Sequence, residues 1–143
     1  MTRRPSTLLD DQPMPVRVRL AAAWTSFMFL YAYVDILNFY TPGTVADILD
    51  GRVFEFDLSQ TFSTSALALM AVPIFMIVLS TTLPARAARA ANVVVAALYV
   101  PVTVFNLLGE TWVAFYGLGV ALELALLALV VRIAWRWPLT DVR

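Results

Sequence analysis

"RLAAAWTSFMFLYAYVDILNFY" occupies residues 19–40, and beyond Arg19 it holds a single charged side chain, Asp35. A helix needs roughly 20 mostly apolar residues to cross the hydrocarbon core of a bilayer. This stretch has that length, so its reading decides between a soluble fold and a membrane fold. It also raises a question, because a carboxylate sits among residues suited to lipid. Tyr31 lies one turn before Asp35, and Asn38 one turn after it.

The whole chain points the same way. Its 143 residues are 61% hydrophobic and 14% charged, and its mean hydropathy is +0.79. A soluble domain carries about 25% charged residues and under about 50% apolar ones. The composition is that of a multi-pass membrane protein, with the lipid bilayer as its first partner. A formal net charge of zero gives no electrostatic footprint for nucleic acid. The chain has no Cys and no His, which removes disulfides, thiolate sites and the commonest haem and transition-metal ligand. It also has no Lys, hence no Schiff base to a carbonyl cofactor. No cofactor and no metal site is expected.

Four spans are expected, at 18–41, 62–83, 90–109 and 112–135. They form one all-α membrane domain over 18–137, a four-helix bundle between a tail at 1–17 and a tail at 138–143. Arg3, Arg4, Arg17 and Arg19 precede the first span. Arg86 and Arg89 fall between the second and third, and Arg132, Arg136 and Arg143 close the fourth. Arg52 is the exception, in the loop after the first span. The positive-inside rule then makes both termini cytoplasmic, in the inner (cytoplasmic) membrane of a cell. Such a bias argues against a dual-topology transporter. The first apolar stretch is too long for a signal-peptide core and is expected to remain as an anchor.

The loop of about 20 residues between the first two spans is expected outside. Thr44 is placed to cap a short helix through Asp50, Asp50-Gly51 to turn, and Phe54, Phe56 and Leu58 to alternate with Glu55 and Asp57 in a strand-like pattern. It reads as an interfacial connector, or as a lid over an external opening.

Helical spacing gathers the polar groups. In the first span Trp24, Met28, Tyr31, Asp35 and Asn38 share one face. In the third, Asn92, Tyr99, Thr103, Asn106 and Glu110 do so. In the fourth, Trp112, Tyr116, Gly119 and Glu123 do so. The second span has no charge, but offers Ser63, Thr64 and Ser65 at its external end and the small residues Ala68 and Ala71 for close approach. Tyr31–Asn38 and Tyr99–Asn106 repeat one separation, although the halves otherwise do not align.

A carboxylate facing lipid at mid-span costs roughly 2.5–3.5 kcal/mol. The stripes must therefore face each other around a polar interior. Asp35, Asn38, Asn106 and Glu110 are expected to line its outer part, with Tyr31, Tyr99, Thr103, Tyr116 and Glu123 completing it. Without a basic partner at that depth, Asp35 and Glu123 must be protonated, hydrogen-bonded, hydrated or paired with a bound cation. Pro73 and Pro101 each free a carbonyl one turn earlier, at Leu69 and Ala97.

The stretches "YAYVDILNFYTPG" (31–43), "VPIFMIVLS" (72–80), "RAANV" (89–93), "YGLGVALEL" (116–124) and "AWRW" (134–137) resemble a family of small bacterial four-helix membrane proteins of unknown function, itself distantly similar to the DoxX-like group. The resemblance covers roughly 16–138. It implies the four-helix fold and no activity. It also implies an acidic residue in the second span where this chain has Ala71.

Three functions compete. The first is a binding or transport module that takes a proton, a small cation or a small amphipathic ligand, such as a lipid, into the polar pocket. The second is a structural or regulatory membrane subunit, with homo-oligomers among its assemblies. The third is an intramembrane enzyme using Asp35 or Glu123 as acid or base. It ranks last, because no nucleophile–base pair is visible and no catalytic residue can be named.

Overall fold

The computed structural model describes residues 12–54, 56–109 and 111–138. Four long helices fill most of it: α1 (Val16–Asn38), α3 (Gln60–Thr82), α4 (Ala85–Phe105) and α5 (Val113–Trp135). Each is long and apolar enough to cross a membrane. A short helix, α2 (Thr44–Leu49), and a two-stranded hairpin, β1 (Arg52–Val53) with β2 (Phe56–Asp57), join α1 to α3. Among lipid tails a backbone must satisfy its own hydrogen bonds, and helices do so within one segment.

Prolines set several of the boundaries. Pro15 stands at the N-terminal cap of α1, and Pro84 at that of α4. Leu83 is extended (ψ 152°) because it precedes Pro84, and this ends α3. Ser59 caps the start of α3, its hydroxyl accepting the Phe62 amide at 3.1 Å.

Two expected boundaries need correction. Arg86 and Arg89 do not lie in a loop. They lie in the first turns of α4, which starts at Ala85 and leaves only Leu83 and Pro84 as a linker. Hydropathy stops at an arginine, but "ARAARAA" is made of strong helix formers and the helix continues through it. At the other end α4 stops at Phe105, and turns follow to Gly109 at φ 79°. Thr44 is also not the cap of α2. Gly43, at φ 95°, holds that position and Thr44 is the first helical residue.

α1 packs against α3 and α5, and α4 packs against α5 and, less extensively, α3. The cyclic order is therefore α1–α3–α4–α5, with sequence neighbours antiparallel. The apolar core brings together Leu20, Trp24 and Phe27 of α1, Met76 of α3, Ala96 of α4 and Leu127 of α5. Phe27, rather than the expected Met28, takes the inner position. It meets Trp24 and Tyr99 edge-on, with centroids 5.8 and 6.0 Å apart.

Gly119 on α5 is a point of close helix approach, where an added Cβ would stand 3.1 Å from Val34 Cγ2 on α1. Val34 is β-branched and stiff, so it cannot swing away cheaply. We expect Gly119→Leu to wedge α1 from α5 and destabilise the bundle by about 1–3 kcal/mol. Unfolding in mixed micelles checks this, and a wild-type midpoint would show that the contact does not hold the helices together.

The connector rests on the bundle end. Phe54, at φ 56°, lays its ring 3.2 Å from where a Gly109 Cβ would stand. It also meets Phe105 at 6.4 Å, while Phe56 stacks on Phe62 at 5.7 Å. The strand-like alternation thus folds into a hairpin held by aromatic rings.

Candidate functional site

Two polar clusters lie inside this bundle, and they differ in how completely their groups are paired.

The lower cluster sits toward the arginine-bearing end. Trp24 Nε1–H donates to Asn92 Oδ1 at 2.7 Å, and Asn92 Nδ2 donates to the Ala88 carbonyl at 2.8 Å. The Ser80 hydroxyl lies between the Met76 carbonyl (2.6 Å) and Asn92 Oδ1 (3.1 Å). All three side chains are buried. Every member has a partner, as a polar cluster that stitches helices requires. Sequence reasoning placed Trp24 and Asn92 on inward stripes but missed Ser80. Its signal was weak, because α3 carries no polar stripe.

The upper cluster holds most of the sequence-derived candidates. Tyr116 donates its hydroxyl to Asn38 Oδ1, which Thr44 Oγ1 also approaches at 3.4 Å. Tyr31 lies two turns before Asn38 on α1, and its hydroxyl accepts from Asn106 Nδ2 at 2.7 Å. Tyr31, Tyr99, Thr103, Tyr116 and Glu123 are buried, and Asn38 and Asn106 half-buried. Tyr99 is spent on the backbone. Its hydroxyl donates to the Leu69 carbonyl, which Pro73 leaves without an amide partner. Tyr99 therefore belongs to the support of a proline-broken helix.

Glu123 is the centre of the cluster. It is 2% exposed, and its Oε2 has no hydrogen-bond partner. Thr103 is fully buried and within interacting range of it, yet Thr103 Oγ1 also lacks a partner of acceptable geometry. Asp35 lies near enough to act electrostatically on this carboxyl. In a dry interior such open valences are costly unless something fills them.

Asp35 needs a correction. The expectation was that it turns inward, but its side chain is exposed. It stands about five helical turns beyond Arg17 and so on the same side of α1. Arg17 reaches α3, donating to the Thr81 and Leu83 carbonyls at 2.9 and 2.6 Å. Asp35 thus flanks the α1–α3 seam at its upper end. There α3 buries nothing before Pro73, and Ser63, Thr64, Ser65 and Ala68 are exposed rather than part of the interior. Arg17 ties the lower end of this seam, and Asp35 stands exposed near its upper end. Glu110 lies outside the described residues, as does Glu55.

Among the described residues no group of three or more acidic side chains is placed to hold a metal ion. The chain matches no family model, and neither a curated protein nor a solved structure matches it. The resemblance to small four-helix membrane proteins rests on its motifs alone.

Proposed function

We propose that this chain is a multi-pass protein of the inner (cytoplasmic) membrane. Its upper polar cluster takes up a proton or a small cation at Glu123, entering past Asp35. One observation carries the reading. The lower cluster is closed, with each buried polar group paired, whereas Glu123 Oε2 and Thr103 Oγ1 lie within range of each other but make no well-formed hydrogen bond. A carboxyl needed only for packing has no reason to stay incompletely bonded, because an apolar side chain of similar volume packs as well or better. An exposed carboxylate on α1 and a buried one on α5 suit a cationic species, since both favour positive charge.

The test is thermal. A ligand that binds the folded state alone raises its stability by about 2.7 kcal/mol at a hundredfold excess over its Kd. We expect the melting temperature of the purified protein to change across pH 4–9, or to rise with Na+ or K+ at constant ionic strength. A profile flat in pH and in both cations would end this reading.

The arginine distribution supports an orientation with that end cytoplasmic and the connector outside. Cysteines placed at Ser6 and Thr140 should resist a membrane-impermeant reagent in intact cells and react after permeabilisation. Labelling of either from outside would reverse the orientation, and with it the side from which Asp35 is reached.

A further inference from the structure

The arginine-bearing end has two openings that adjoin. One is a groove of about 520 Å3 between α4 and α5. Ala97, Val100 and Ala128 wall it, and Arg132 and Arg136 stand at its lower end. The other, of about 320 Å3, lies between α1 and α5 and brings Arg19 to the same two arginines.

These arginines differ from their neighbours. Arg17 caps the C-terminal end of α3 and lies 5.7 Å over the Trp137 ring. Arg89 stacks 5.6 Å over Trp135. Arg19, Arg132 and Arg136 are in no ion pair among the described residues, where the one pair is Arg52–Asp47. Three like charges that line one cavity repel each other, and an anion among them removes the repulsion. The groove runs from Leu124 to Arg136, ~18 Å along α5. That is about the depth of one leaflet of a ~30 Å hydrocarbon core.

An apolar slot one leaflet long, ending on arginines with no ion pair among the described residues, has the chemistry of one occupant. We propose that this site binds an anionic glycerophospholipid, with an acyl chain between α4 and α5 and its phosphate among Arg19, Arg132 and Arg136. A free anion would leave the groove empty. A zwitterionic lipid would bring its own cation to the arginines. The site is separate from the carboxylate cluster and needs only that the chain spans a bilayer.

Native mass spectrometry of the protein in non-ionic detergent tests it, with phosphatidylglycerol and phosphatidylcholine of matched chains as probes. We expect phosphatidylglycerol to bind at least tenfold more tightly. Arg132→Gln with Arg136→Gln should remove that preference, at roughly fivefold per arginine. Ala97→Phe, filling the groove from an exposed position, should weaken both lipids. Arg86→Gln, which lines neither opening, should change nothing. Should the double variant not elute as wild type, Arg136→Gln alone carries the test, since Arg136 lies just beyond the last turn of α5. Equal affinity for the two lipids would overturn the proposal. So would an equal loss in Arg86→Gln, no effect of Ala97→Phe, or displacement of the lipid by glycerol phosphate at equal concentration.

Discussion

Glu123→Gln is expected to abolish the pH or cation response of the wild-type protein while leaving the fold intact. The substitution keeps the shape of the side chain and removes its charge. It creates no cavity, so the buried packing around Leu127 and Val120 is undisturbed. Its amide can still meet the Thr103 hydroxyl, which lies within range. Melting without ligand should therefore stay within about 1 kcal/mol of wild type, or improve slightly as a desolvated acid is removed. The loss appears in the response, where the whole ligand-linked stabilisation, about 2.7 kcal/mol at saturating excess, should vanish. Asp35→Asn is expected to act differently. Asp35 is exposed and about one turn above Glu123, so it steers and assists. At ~8 Å and an effective dielectric of ~20, two such charges influence each other by about 2 kcal/mol. The response of Asp35→Asn should be weakened but present, and the double variant should add nothing to Glu123→Gln. Superimposable profiles for wild type and Glu123→Gln would remove the carboxylate from the mechanism. A response lost only in Asp35→Asn would move the site to the surface.

The second large effect is structural and lies in the lower cluster. Trp24→Ala should destabilise the bundle by about 3 kcal/mol, at the low end of the range for such changes in water-soluble cores. Lipid tails are as apolar as the core, so the transfer part of the cost is absent and the lost packing remains. Trp24 is fully buried, meets Phe27 edge-on and satisfies Asn92. Its removal leaves a void and an amide oxygen with one donor fewer. Trp24→Phe separates the two contributions. It keeps most of the ring volume and loses the Nε1–H, which should cost about 0.6–1.7 kcal/mol, as interhelical bonds in membranes do. Unfolding midpoints in mixed micelles rank the three proteins. If the two variants cost the same, the hydrogen bond rather than the packing holds this end together. If neither costs anything, the lower cluster is not the structural anchor described above.

Much of this molecule was legible before any coordinates. The four helices follow from apolar length, because a backbone among lipid tails has few ways to pair its polar groups. Glu123, Tyr31 and Thr103 could be placed inside from spacing alone, since a helix repeats every 3.6 residues and polar groups leave the lipid face. Pro73 already implied a free carbonyl at Leu69.

Periodicity fixes which face turns inward, not which neighbour that face meets. Val34 and Asp35 are adjacent in sequence and ~100° apart around α1. Only the packing of α1 between α3 and α5 put Val34 against Gly119 and left Asp35 exposed at the α1–α3 seam. The same holds for Ser80, a lone hydroxyl in an apolar helix until Asn92 and Trp24 are brought to it. It also holds for Tyr99, which met the Leu69 carbonyl instead of the site. Single-helix patterns carry one-body information about burial. Which polar group completes which is a property of pairs, and pairs exist only once the helices have packed.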